Sequence, residues 1–298
     1  MWIVEHGRSH QARRQRCETF IDLEVDKLDV GSLHITLLSI YSIAMFDWSH
    51  LNQVERSAVM TLLWRAAESR RADRLFTDKA AEEAAALFPP WPSSPLVRVF
   101  AGIVSLRTSE LDRRVSDAIA GGLQQIVVIG AGLDTRFTRL DLPSSAIVIE
   151  LDSKAVNDLA LKVLPKLPAV RREVALIPGD VTQALDKTSH NRNRPTLWIV
   201  EGVLEYLPGQ LWKRLAAVIT EHSAPGSRAL ITVLGDALPR LFAEDPTFPF
   251  PNLPSLTHIV SAVPSEWRSE VFTSARFREV PANAFSILSL SRSEPRAD

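Results

Sequence analysis

The sequence feature that most constrains the fold is the stretch QIVVIGAGLDTRFTRL at residues 125–140, where a run of apolar residues ends in two closely spaced glycines. Gly130 and Gly132 allow a sharp turn, and they let the backbone approach a ligand because no Cβ atom stands in the way. In an α/β fold, ligands bind outside the carboxyl ends of parallel strands. The stretch therefore predicts a buried strand that ends at a binding site, although Gly-x-Gly alone is also compatible with a simple tight turn.

Apolar runs alternate with helical patterns through the middle of the chain. The runs that predict buried strands lie at 126–130, 146–151, 174–178, 196–202 and 229–234. Continuous apolar strands that alternate with helices are typical of a parallel sheet covered on both faces. The predicted fold class is therefore α/β, a Rossmann-like doubly wound sheet.

Helices are predicted on both sides of a proline-rich break at residues 87–95. The first has Ser57 as its N-cap, and the second is a long amphipathic helix that ends at the glycine pair 121–122. Near the end of the chain, residues 270–280 predict a helix and residues 284–292 a last strand.

We expect a single domain over residues 1–298. Its cofactor-binding core is predicted at 57–234, after an N-terminal helical extension at 1–56 that could act as a lid. Residues 235–298 are rich in proline at first, and they are predicted to cover the substrate and to supply the last strands. The apolar run at 35–46 is shorter than the roughly 20 residues that a membrane-spanning helix needs.

Composition excludes some classes of function. The net charge of −1 argues against a protein whose main task is to bind nucleic acid or an acidic membrane. Cys17 is the single cysteine, so no internal disulfide can form, and a reducing compartment such as the cytoplasm is expected. The pattern predicts no metal ligands, and it leaves the oligomeric state open.

Acidic residues follow three successive predicted strands. Asp152 comes twenty positions after Gly132, the offset at which a carboxylate can accept hydrogen bonds from a ribose diol. Asp180 follows the third predicted strand, and Glu201 lies at the end of the fourth. Because the carboxyl ends of parallel strands share one edge of the sheet, these acids are expected to converge on a nucleoside-binding crevice.

Two residues after the glycines argue against a dinucleotide. A dinucleotide fingerprint would have a third glycine where this chain has Thr135. Asp134 places an anion at the expected helix start, where a pyrophosphate would have to lie. An anion suits a ligand with positive groups, and S-adenosylmethionine has a sulfonium and an ammonium. An NAD(P)-dependent oxidoreductase and a non-enzymatic binding protein on the same scaffold remain the alternatives.

These residues resemble the leucine carboxyl methyltransferase family of S-adenosylmethionine-dependent enzymes. The motifs that carry the resemblance are GAGLDTRFTRL, IELD, the strand end at Asp180 and PTLWIVEGVLEYL. The chain is most similar to the bacterial branch of polyketide O-methyltransferases of the tetracenomycin type. The resemblance covers about 180 residues and implies transfer of a methyl group to oxygen.

The resemblance also implies roles for single residues. Arg107 would pair with the methionyl carboxylate of the cofactor, for which a planar guanidinium is suited. Gly130 would lie against the methionyl group, and Glu201 would lie near its amine. Asp152 would hold the ribose, and the adjacent pair Asp180 and Val181 would flank the adenine.

The chain departs from the family at a few positions. A family lysine before the glycine loop has no clear counterpart, and Arg70 or Arg74 could replace it. Glu205 stands where apolar residues are usual, and the role of the motif residue Tyr206 stays open between packing and function.

The acceptor is inferred from the chemistry of methyl transfer. A carboxylate, with a pKa of about 4, is already ionised at neutral pH, whereas a phenol, with a pKa of about 10, benefits from a general base. No histidine lies in the motifs. We therefore expect a carboxylic acid on an apolar, polyketide-like small molecule. A phenol and a protein C-terminal carboxylate are the alternatives, and no catalytic residue is assigned.

Overall fold

The computed structural model describes residues 50–89, 95–175, 177, 179–208, 210–235, 238, 254–277, 280–281 and 283–293. The chain divides into two compact units, 1–45 and 46–298, and every described residue belongs to the second. The expectations for the apolar run 35–46, for most of the N-terminal extension and for most of the proline-rich segment lie outside the described residues.

Within the described residues, seven strands form one mixed sheet with the order β3-β2-β1-β4-β5-β7-β6. The strands are β1 (Gln125–Ile129), β2 (Ile147–Asp152), β3 (Val170–Val174), β4 (Thr196–Val200), β5 (Arg228–Leu234), β6 (Trp267–Thr273) and β7 (Phe285–Arg292). Strands β1 to β5 pair in parallel, and β7 is antiparallel to both β5 and β6. The predicted α/β fold is confirmed, with an antiparallel edge added to the parallel part.

Strand β3 does not lie where the apolar pattern predicts it. The prediction was 174–178, but the strand occupies Val170–Val174 and pairs with β2 alone. An edge strand is covered less completely than a central one, so charged residues such as Arg171 and Arg172 are tolerated there. The apolar run begins only where the chain re-enters the core, at Ala175, which is buried.

Seven α-helices accompany the strands in the described part of the chain. They are α1 (Gln53–Ser69), α2 (Lys79–Ala85), α3 (Pro95–Ala120), α4 (Lys154–Val163), α5 (Val181–Asp186), α6 (Leu211–Glu221) and α7 (Leu256–Ser261). Helix α3 packs Ile103 and Leu111 on one face of the sheet. On the opposite face, Trp212 of α6 lies in one buried cluster with Trp198 of β4. The central strands are therefore covered on both sides, which explains their continuous apolar sequence.

Helix α1 begins four residues before the predicted N-cap. The cap is Asn52, whose side-chain oxygen accepts from the backbone N–H groups of Val54 and Glu55. Glu55 accepts in return from the N–H of Asn52, which completes a capping box. Ser57 lies inside the helix, so its prediction as N-cap was wrong. The glycine end of α3 is confirmed, with Gly122 at φ +97°.

The helix predicted at 270–280 is also absent from the described residues there. Residues 270–273 belong to β6, and a short 3₁₀-helix, Ser274–Arg276, follows. Strand β7 offers a second hydrogen-bonding edge beyond β5, and β6 pairs with it from Trp267↔Arg292 to Thr273↔Ser286. This long-range pairing determines the conformation of the segment. In the described part of the chain, no helix has both the length and the apolar character needed to cross a bilayer.

A histidine pair leads to a prediction about acid stability. The rings of His190 and His222 are 5.6 Å apart, and His222 is buried. Burial lowers the pKa of His190 to about 4, and it lowers the pKa of His222 as well. Because these pKa values are lower in the folded chain, the unfolded chain binds more protons, so stability is present above about pH 6.5 and is lost towards pH 4.

We therefore expect the pair to contribute a loss of about 1–2 kcal/mol in the free energy of unfolding between pH 7 and pH 5. Urea unfolding at both pH values measures this loss, and His190→Gln should reduce it. His258→Gln in α7 is the matched control. A variant at His190 with the same pH dependence as the parent protein would contradict the assignment.

Candidate functional site

A cavity of about 310 Å³ opens at the carboxyl ends of β1, β2 and β4. Its walls come from the loops after these strands and from one face of α1. The described lining residues are Val54, Ser57, Ala58, Thr61, Arg65, Arg107, Val128, Gly130, Ala131, Gly132, Leu133, Asp134, Asp152, Ser153, Ala175, Ile177, Glu201, Gly202, Val203, Tyr206 and Leu207. The cavity therefore brings together five of the seven predicted site residues.

The glycine loop forms one wall of the cavity. Gly130 and Gly132 both have positive φ angles, +70° and +55°. A Cβ atom on Gly130 would lie 2.3 Å from the side chain of Val203, so any larger residue there must displace a buried neighbour. The sequence prediction that the backbone turns sharply at these glycines is confirmed.

Asp152 is fastened to this loop. Its Oδ2 accepts from the N–H of Gly132 at 2.7 Å, and its Oδ1 accepts from the N–H of Ser153 at 2.7 Å. Burial raises the pKa of Asp152, and the two backbone donors oppose that shift. Each carboxylate oxygen has a further lone pair, so both can still accept from a ligand diol.

Glu201 lies between two arginines. Arg107 donates through Nε to Oε1 at 2.9 Å, and Arg136 donates through Nη2 to Oε2. Burial by itself raises the pKa of Glu201, but Arg136 and Arg107 outweigh burial and hold the pKa below its usual value. Among the described residues, Glu201 is the one hydrogen-bond acceptor of Arg107, so both Nη nitrogens of Arg107 can donate to a ligand.

The structure corrects the interpretation of Asp134. The sequence suggested an uncompensated anion at a helix start, but Asp134 forms an ion pair of 2.7 Å with Nε of Arg136. It also accepts from the backbone N–H of Arg136 at 2.8 Å. Only a three-residue 3₁₀-helix, Arg136–Thr138, follows the loop. The charge of Asp134 is therefore compensated within the protein, and it does not by itself select a cationic ligand.

Thr135 has a structural role that its sequence position did not indicate. Its hydroxyl donates to Asp78 at 2.6 Å, and Asp78 also accepts from Arg139 at 2.8 Å. Arg139 in turn donates to both oxygens of Asp112 at 2.7 and 3.0 Å. This buried network joins the glycine loop to α3 and to the start of α2.

Arg65 is a cavity residue that the sequence did not predict. It lies on α1 and lines the cavity, donates to the carbonyl of Leu133 and approaches Asp78 at 3.6 Å. The candidates named for the family lysine are elsewhere, because Arg70 bonds to Glu82 and Arg74 to Thr77. The helical spacing of Ala58, Thr61 and Arg65 could have indicated that these side chains share one face.

Asp180 and Val181 are not among the described residues that line the cavity. Asp180 is the N-cap residue of α5, and Val181 is fully buried in the core against the sheet. Their contact with an adenine ring stays a prediction.

Comparison with known proteins places the chain in a family. Residues 58–220, more than half of the chain, match the family described as leucine carboxyl methyltransferase. A relative in Streptomyces coelicolor, named "Putative S-adenosyl-L-methionine-dependent methyltransferase", is 36% identical over 204 residues, which are 63% of this chain and 71% of the relative. A protein of the same name in Mycobacteroides abscessus is 34% identical over 201 residues, 61% of this chain and 67% of the relative.

Solved structures agree on the fold. A DUF574 family protein from Streptomyces avermitilis has a TM-score of 0.52 at 15% identity, over 80% of this chain and 97% of that chain. A protein from Thermobifida fusca, described as a "putative methyltransferase", has a TM-score of 0.51 at 17% identity, over 78% of this chain and 94% of that chain. At such identities the likeness shows a common Rossmann-like fold. Together with the family match and the named relatives, it leads to one conclusion: the chain belongs to the leucine carboxyl methyltransferase family and is an S-adenosylmethionine-dependent methyltransferase.

Proposed function

We propose that the cavity at the glycine loop binds S-adenosylmethionine and that the enzyme methylates a carboxylate oxygen of an apolar, polyketide-like small molecule. The observation that carries the choice of acceptor is Arg65. The cavity is lined by the Arg107–Glu201 ion pair, and Arg65 adds a second guanidinium to it. One cation can serve the cofactor and the other the acceptor.

The charged residues of the cavity fit the cofactor. The methionyl group carries a carboxylate and an ammonium, and these complement the Nη atoms of Arg107 and the carboxylate of Glu201. Asp152 would hold the ribose through the lone pairs that the backbone donors leave. The cofactor supplies a methyl group on a positively charged sulfur, which is a good leaving group.

The remaining lining residues suit an ionised acceptor. Burial raises the pKa of Tyr206 to about 12 against the opposing effect of a hydrogen bond with Ser57, so the Tyr206 hydroxyl stays protonated at neutral pH. Such a hydroxyl does not act as a base that deprotonates a phenol. Val54, Ala58 and Leu207 supply apolar surface in the same cavity, which suits an apolar body on the acceptor.

The chain's task in the reaction is binding and orientation. Arg65 would hold the acceptor carboxylate so that one oxygen lies in line with the carbon–sulfur bond. The bound cofactor would supply the methyl group: a carbon–oxygen bond would form as the carbon–sulfur bond breaks, and the products would be a methyl ester and a neutral thioether. No proton is released, because the acceptor enters already ionised.

The acceptor class can be tested with cell extract and methyl-labelled cofactor. Esters release labelled methanol in mild alkali, whereas aryl ethers do not, so alkali-stable label would contradict the carboxylate proposal.

Arg65→Met should retain binding of S-adenosylhomocysteine in calorimetry but lose most methyl transfer. Arg70→Met is the matched control, since Arg70 caps the same helix with a side chain that is 56% exposed. If Arg65→Met loses the product cofactor as well, Arg65 belongs to the cofactor site instead.

A further inference from the structure

Gly132 is held on both sides of its backbone. Its N–H donates to Asp152 inside the proposed cofactor site, and its carbonyl accepts from Nη1 of Arg172 at 3.1 Å. The φ angle of Gly132 is +55°. Because glycine adopts positive and negative φ angles about equally readily, its own backbone preference does not hold it in this conformation. Asp152 and Arg172 therefore constrain the two peptide groups on either side of the Cα of Gly132.

Arg172 is itself anchored by a neighbouring strand. Glu150 of β2 and Arg172 of β3 are direct partners in the parallel register, and Nη2 of Arg172 lies 2.7 Å from Oε2 of Glu150. The Glu150 side chain is 2% exposed. This close, buried charge pair holds the guanidinium in place, because moving it would leave an unpaired carboxylate in the interior.

The pair reaches the loop from the side opposite to the cofactor site. Glu150 and Arg172 line a second cavity of about 300 Å³, and neither is a described lining residue of the first cavity. Asp134 lines both cavities, so the loop after β1 is the wall between them.

We propose that Arg172, anchored by Glu150, is a positioning residue that fixes the glycine loop for cofactor binding. The inference rests on the proposed cofactor site. Arg172 acts through Gly132 and Asp152 without touching the ligand. When Arg172 is lost, the peptide group between Gly132 and Leu133 is held less firmly and the backbone can rotate about the Cα of Gly132, so the preceding N–H, which donates to Asp152, can move away from the carboxylate.

The environment of Glu150 gives this role a pH signature. The charged groups that face or surround the carboxyl are Arg172, Asp134, Arg136, Asp152 and Lys166. Burial raises the pKa of Glu150 to about 7 against the opposing effect of Arg172. Below this pH the carboxyl becomes neutral and anchors Arg172 less firmly. Since ionised Glu150 favours the loop conformation that binds the cofactor, cofactor affinity should rise with pH through about 7.

Calorimetry with S-adenosylhomocysteine at pH 6, 7 and 8 tests the proposal. We expect Arg172→Met to weaken binding about tenfold at pH 8, as for a lost hydrogen bond from a charged donor. Arg172→Lys should recover part of the loss. Glu150→Gln is nearly isosteric and can replace Arg172→Met as the test if that variant does not fold. It should weaken binding at pH 8 and remove much of the rise in affinity between pH 6 and pH 8.

The matched control is Arg171→Met. Arg171 is adjacent on β3, but its side chain is 56% exposed and pairs with Glu173. Arg171→Met should leave the affinity for S-adenosylhomocysteine unchanged at every pH. Unchanged affinity in both Arg172→Met and Glu150→Gln would overturn the inference, as would an equal loss in Arg171→Met. Absence of binding in the parent protein would instead overturn the proposed cofactor site.

Discussion

Replacing Arg136 with methionine should lower the free energy of unfolding by about 3–5 kcal/mol, the cost of removing one partner from a buried ion pair. The Arg136 side chain is 2% exposed and contacts the carboxylates of both Asp134 and Glu201. Without it, two acids of the same sign remain buried near each other. Urea unfolding at pH 7 measures the change.

The pH dependence of this effect follows from the same contacts. Although burial alone raises the pKa values of Asp134 and Glu201, the neighbouring arginines bring both below their usual values. Their stabilising contribution is therefore present above about pH 4 and is lost as the pH falls further. The difference between the Arg136→Met variant and the parent should narrow in that acid range.

An exposed arginine provides the control for Arg136. Arg113 on α3 also pairs with two acids, Glu110 and Asp117, but its side chain is 56% exposed. Arg113→Met should cost less than about 1 kcal/mol, as is usual for surface pairs. Equal losses in the free energy of unfolding in the two variants would contradict the expectation that burial makes the ion pairs of Arg136 contribute more than those of Arg113.

The position of the site could be predicted from the sequence because it depends on local patterns. The glycine loop and the acids Asp152 and Glu201 each follow an apolar run, and parallel strands bring such ends to one edge. Arg107 was assigned through the family resemblance, since nothing in its own helix indicates a ligand. Its contact with Glu201, 94 positions away, brings the two into the cavity.

The charge pairing inside the site could not be predicted in this way. Asp134 and Arg136 are two residues apart, and only the turn that leads into the 3₁₀-helix at Arg136 shows that they neutralise each other. Arg172 lies on an edge strand that the apolar pattern placed four residues too late, so its contact with Gly132 was hidden. Such contacts depend on the tertiary fold and on strand register, and hydrophobic periodicity does not encode them.

Replacing Asp152 with alanine should weaken binding of S-adenosylhomocysteine about 10- to 100-fold, which corresponds to about 1–3 kcal/mol for ribose hydroxyls left without an acceptor. The same change removes the acceptor of the Gly132 N–H, so the hydrogen bond that holds the loop and the contact to the ligand are lost together. Calorimetry measures the affinity, and the unfolding curve shows whether the variant is folded.

Two further variants separate these contributions. Asp152→Asn keeps one acceptor oxygen but places an NH₂ group against one of the two backbone donors, so its affinity should lie between those of the parent and the alanine variant. Asp158→Ala on α4 removes an acid that is 49% exposed and pairs with Lys154, and binding should not change. If Asp152→Ala binds as tightly as the parent while folded, the ribose is not held by this carboxylate and the cofactor must lie elsewhere in the cavity.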